Sequence, residues 1–229
     1  MSREREKTTV SIEEYEKVQT VLNALMDQLA SQLPNESANR IKEIYEFRSS
    51  ILGETDRGAV LMAAAFLDDK LKGLIEKRLV QDRKVRKRVF DFNGALGTFS
   101  SRIDFAYLIG VIPKNAQKDL HTIRNIRNQF AHHAAPLSYD DEKVKGLCNN
   151  LVFHGVLETA DAGSKFRRSV MGLLTHVTLA FESTEAIEAH PDFSIPDRAG
   201  AYQIVSKVFT DVTGAEYPLK HEHESVGAR

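Results

Sequence analysis

Asp119-Leu120-His121-Thr122-Ile123-Arg124-Asn125-Ile126-Arg127-Asn128-Gln129-Phe130-Ala131-His132 is the stretch from which the fold of this chain can be read. On a helix turning about 100° per residue, Ile123, Ile126 and Phe130 fall on one side and predict a core face. His121, Arg124, Arg127, Asn128, Ala131 and His132 share the opposite arc, and Arg124, Asn128 and His132 stack along it with Arg127 at its edge. Solvated helix faces are usually rich in Lys and Glu, yet neither occurs between Leu120 and His132. Asn is also an indifferent helix former, so Asn125 and Asn128 read as side chains in use. Two structural readings stand beside that one. The arc is solvated, or Arg127 pairs with a carboxylate such as Asp68 or Asp69.

The same periodicity recurs outward in both directions and predicts an all-α chain. Val18, Leu22, Leu25, Met26, Leu29 and Leu33 form a stripe, with Ser11 and Glu14 as a capping box and Pro34 as the stop. A second helix is expected from Ser37 to Leu52. Thr55 or Asp56 caps a third that runs through Ala59, Met62, Ala63, Phe66, Leu67, Leu71 and Leu74 to about Val80. Gly94 and Gly97 mark a turn before a helix with Phe99, Ile103, Ala106 and Leu108, and Gly110 and Pro113 break the chain before the helix from Lys114 to about His133. Ser138 or Tyr139 starts the next, through Val144, Leu147 and Leu151. Ser164, after a break at Gly163, caps one to about Ala189, and Gly200 to Val212 forms a shorter one. The expected organisation is an N-terminal helical arm over 1–54, a core over 55–190 and a C-terminal extension with a polar tail over 191–229.

With 229 residues, 42% hydrophobic and 28% charged, the chain suits one main globular core. Its net charge of -1 gives no global signal for nucleic acid, so any such binding must be local. Cys148 is the single cysteine, which excludes an intrachain disulfide and leaves a core thiol as its expected role. The charged start Met1-Ser2-Arg3-Glu4-Arg5-Glu6-Lys7 is not followed by a signal-peptide core, and Ala59–Leu67 is far short of the roughly 20 residues that span a bilayer. A cytoplasmic protein without a membrane segment, metal or cofactor is expected.

Arg beside His suits phosphodiester chemistry. A guanidinium offers a planar fork to non-bridging oxygens as charge grows on them. An imidazole exchanges protons near neutral pH, and RNA carries its own 2′-hydroxyl nucleophile, so no metal is required. Asn128 could orient the imidazole or hold the phosphate. Arg124 and His121 share the face as supporting groups. Asp68 or Asp69 could orient His132 or bind Arg127, and equally could be an exposed pair beside Lys70 and Lys72. Arg102 reads as a phosphate ligand or, more simply, a structural ion pair. The run Arg83-Lys84-Val85-Arg86-Lys87-Arg88 could hold RNA backbone, but without interleaved aromatics it reads first as solvated charge. His221 and His223 are given no role.

At Arg127-Asn128-x-x-Ala131-His132 the sequence resembles the Arg-Asn-x-x-x-His signature of the HEPN superfamily of dimerising helical bundles. In catalytic members an Arg and a His from two protomers meet at the dimer axis and cleave RNA without metal. Arg127, His132 and Asn128 would be the matching residues here. The longer blocks Arg57–Leu61, Phe66–Leu71, Gly94–Ile103, Ala106–Ile112 and Asp119–His132 resemble the mannitol operon repressor (MtlR) family. That resemblance covers roughly residues 55–150, and neither the N-terminal helices nor the last third. It implies a HEPN-like bundle, a homodimer, and one of two functions. One is a metal-independent endoribonuclease or RNA-binding relative; the other is a non-catalytic regulator acting through a protein or nucleic-acid partner.

Overall fold

Among the described residues the chain forms eight α-helices: α1 (Asn35–Leu52), α2 (Asp56–Arg78), α3 (Arg83–Phe90), α4 (Phe99–Leu108), α5 (Lys114–His132), α6 (Glu142–Asn149), α7 (Ala162–Ser183) and α8 (Ala199–Thr213). The computed structural model describes residues 17, 20, 21, 24, 25, 28, 31, 32, 34–133, 135–155, 160–194 and 198–219. Ser11, Glu14, Val18, Leu22, Met26, Leu29 and Leu33 of the N-terminal stripe lie outside them, and Leu25, which is described, is half exposed.

The arrangement follows from α2. Thr55 caps it by accepting the Gly58 N–H at 3.1 Å. Behind the cap, Val60, Ala63, Leu67, Leu71, Leu74 and Ile75 are fully buried, and the alanines let neighbouring backbones approach. α2 therefore packs on four helices, α1, α4, α5 and α7. Burying each large aliphatic side chain contributes about 1.5–3 kcal/mol, so this one helix anchors much of the core. Phe130 of α5, Tyr139 and Phe166 of α7 continue the core as an aromatic row with centroid separations of 5.9 and 5.5 Å. Cys148 is buried among these helices, as expected of a core thiol, and burial pushes it up to about 12.

Both ends of α2 hold other elements by side chain. At its start, Arg57 donates to the carbonyls of His133 (2.6 Å) and Ala135 (3.0 Å), and Asp56 accepts the Tyr139 N–H. At its end, Lys77 donates to the Phe181 carbonyl and Arg78 to that of Glu185.

Three boundaries differ from the sequence expectation. The run Arg83–Arg88 is helical because Asp82 caps it, accepting from the N–H groups of Lys84 and Val85. Ser138 does not start α6: its N–H and hydroxyl both donate to Asp141, which forms a turn, and the helix begins at Glu142. α7 starts at Ala162, with Gly163 inside it, because the Asp161 carboxylate takes the Ser164 N–H and hydroxyl; it stops at Ser183.

The described residues from 189 onward form a separate compact unit built on α8. Gly214, at φ +70°, closes α8 in the left-handed conformation, and Tyr217 packs edge-on against Tyr202 and Phe209. Among the described residues no helix is long and apolar enough to cross a membrane.

Candidate functional site

Ile123, Ile126 and Phe130 are fully buried, so α5 sits in the bundle with the face its periodicity requires. The opposite side is open: Arg127, Ala131 and His132 are exposed, while His121, Arg124 and Asn128 are half-buried. Arg127 Nη1 donates to Asn128 Oδ1 at 3.1 Å, which gathers the guanidinium and the amide at one spot. His132 is the last residue of the helix, and Arg57 fixes the chain just past it through the 133 and 135 carbonyls. Arg127 and His132 lie five positions apart, so they point about 140° away from each other around the axis. Within one protomer they do not converge.

The remaining sequence-selected residues are placed elsewhere. Asp68 pairs with Arg102 at 2.8 Å, and Arg102 also donates to the carbonyls of Leu96 (2.8 Å) and Gly97 (3.4 Å). Arg102 is thus the structural ion pair, and Asp68 is its partner and not that of His132 or Arg127. The Leu96–Gly97 turn explains the glycines beside it: a Cβ on Gly94 or Gly97 would stand 2.3 Å from the carbonyl oxygen of Val89 or Phe92. Asp69 is exposed and lines a small cavity of about 160 Å³ with Arg40 and Lys70 of α1 and α2. His121 bonds Asp104 of α4 at 2.8 Å, and this contact, supported by Gln117, holds the Asp104 carboxyl below its usual range. The structure therefore brings together Arg127 and Asn128, with Arg124 and His132 on the same helix. It does not bring Asp68, Asp69 or Arg102 to them.

Two groups were not singled out from sequence. Arg57 belongs to one of the matched blocks, but nothing local revealed its partners about 76 positions away. Asp119 is buried on α5, where it accepts the N–H groups of Val152 and Phe153 at 2.9 Å each. Burial raises its carboxyl above the usual range, against the pull of those two bonds. Asp119→Ala is expected to lower stability by roughly 1–3 kcal/mol by removing the acceptor of two partly buried donors. Asp119→Asn, whose amide oxygen can still accept, should cost less. Because the folded value lies above the unfolded one, the favourable contribution is complete below about pH 4 and is lost as pH rises through the folded value. Thermal melts across that range should show wild type losing stability relative to Asp119→Asn as pH increases.

A groove of about 770 Å³ between α1 and α7 is lined by Ile44, Tyr45, Arg48, Phe153, Arg168 and Met171 among others, and none of the candidate site residues lines it. Among the described residues no group of three His, Cys, Asp or Glu side chains could hold a metal.

No protein-family profile matches the chain, and no curated protein does. Among solved structures it is similar to the crystal structure of the MtlR–HPr complex from Escherichia coli. The identity is 18% and the TM-score 0.49, over 58% of this chain and 99% of that one. A match at this level carries nothing about activity.

Proposed function

We propose that the chain is a regulator that works by binding, with the Arg127-Asn128-His132 end of α5 as the face that grips an anionic partner. The observation that carries this reading is the exposure of Arg127 and His132 with their side chains about 140° apart on one helix. Such a pair makes an open surface that presents two donors to a partner. The matched sequence blocks fit a regulator as well, since Arg57 holds the chain beside that face while the Asp68–Arg102 pair holds the scaffold elsewhere. In a deletion strain, wild type should restore the altered transcript levels and Arg127→Ala should not, while the purified chain leaves an RNA pool intact. Full complementation by Arg127→Ala would remove α5 from the function.

One observation favours a second reading, an endoribonuclease of the HEPN type. Arg127 and Asn128 are already joined by a hydrogen bond beside an exposed histidine at the signature spacing. Two copies paired about a two-fold axis would set the Arg of each against the His of the other. Cleavage should then survive EDTA, leave 2′,3′-cyclic or 3′-phosphates, spare DNA and vanish in His132→Ala. Sedimentation as a monomer at micromolar concentration would sink this second reading.

A further inference from the structure

We propose that α3 and the turn after it form a second binding surface, one for single-stranded nucleic acid, separate from the α5 face. α3 carries Arg83, Lys84, Arg86, Lys87 and Arg88 in eight residues, in a chain whose net charge is -1. At about 100° per residue, Arg83, Lys87, Lys84 and Arg88 fall in sequence around one arc of roughly 140°. All four are exposed, and none has an ion-pair partner among the described residues. The side outside that arc, carrying Arg86, Val89 and Phe90, is the one that packs: Phe90 is buried, Val89 is partly buried against the core, and Arg86 turns back to the Glu76 carbonyl. The helix ends are capped by Asp82 and by the Asp91 N–H on the Lys87 carbonyl, so the arc is held as a helix.

Phe92 supplies what a solvated charge run lacks. Phe92 is 83% exposed, yet it stands on a turn held by several hydrogen bonds. The Phe92 N–H is held by the Asp91 carboxylate, Gly94 bonds Asp91, Leu96 bonds Val89, and the Arg102 fork ties the same turn to Asp68. The phenyl ring is held outward, with no ring contact or core packing among the described residues. A base has a face that stacks on such a ring, and a phosphate strand matches the unpaired cations. An anionic membrane would attract the same cations but would gain little from inserting a single exposed ring, since interfacial binding also scales with the apolar area buried.

The test is fluorescence binding of the full chain to oligouridine and oligothymidine of about 16 nucleotides, to a duplex of the same length, and to anionic vesicles, at about 50 and 200 mM salt. Both single strands should bind more tightly than the duplex, and vesicles should not bind. The variant R83Q/K84Q/K87Q/R88Q should weaken binding at least about tenfold and flatten the salt dependence by a slope of about 2–3. Phe92→Ala should weaken it about 5- to 100-fold with little change in salt slope. Both variants leave core residues in place, and an unchanged melting curve checks that they fold. No binding to either strand at low salt, equal binding to duplex with Phe92→Ala silent, or preference for vesicles would each overturn the proposal.

Discussion

Phe130→Ala is expected to destabilise the chain by about 3–5 kcal/mol, whereas Arg127→Ala and His132→Ala should each stay within about 0.5 kcal/mol of wild type. Phe130 is fully buried and meets the Tyr139 ring, which in turn meets Phe166, so its removal opens a cavity where three elements join. Arg127 and His132 belong to the same helix but face water, and Arg127 loses only an exposed hydrogen bond to Asn128. Urea denaturation of the three variants separates scaffold from face within one helix. If Arg127→Ala were as damaging as Phe130→Ala, the exposed-face assignment would fail, and with it both functional readings.

Arg102→Ala should cost about 3 kcal/mol, in the range for breaking a largely buried ion pair. The side chain is only 11% exposed, and its removal strands three acceptors at once: the Asp68 carboxylate and the carbonyls of Leu96 and Gly97. Arg102→Lys should recover less than half of the loss, since one ammonium cannot reproduce the planar fork that reaches all three. Chemical denaturation gives the magnitude. A cycle with Asp68→Ala isolates the share owed to the ion pair, and a loss that Lys fully restores would mean charge alone matters.

How much of this was legible beforehand depends on the range of the interaction. The core face of α5 was readable because Ile123, Ile126 and Phe130 repeat at helical steps, and the cap of α2 because Thr55 stands just before its first turn. The α3 helix was not, because a run of cations has no apolar period and its start depends on Asp82. Ser138 and Ser164 are good capping residues, but Asp141 and Asp161 lay within reach and their charge suits a helix start better. The partners of Arg102 and His121 were beyond any local rule. Asp68 and Asp104 reach them only once α2, α4 and α5 have packed together, so Asp68, which the sequence left open between His132, Arg127 and solvent, lies beside Arg102.

The side-chain anchors at the two ends of α2 have a consequence for cooperativity. Helix ends ordinarily fray, because their last carbonyls lack partners within the helix. Here Arg57 takes the carbonyls that follow α5, and Lys77 and Arg78 take those that end and follow α7, all from one 23-residue helix buried along its length. Local opening of either exit therefore has to break these side-chain bonds as well as the backbone ones. The tip of α5, which carries His132, is expected to exchange its amide hydrogens more slowly than an unanchored helix end, so a partner that grips it meets a tethered surface.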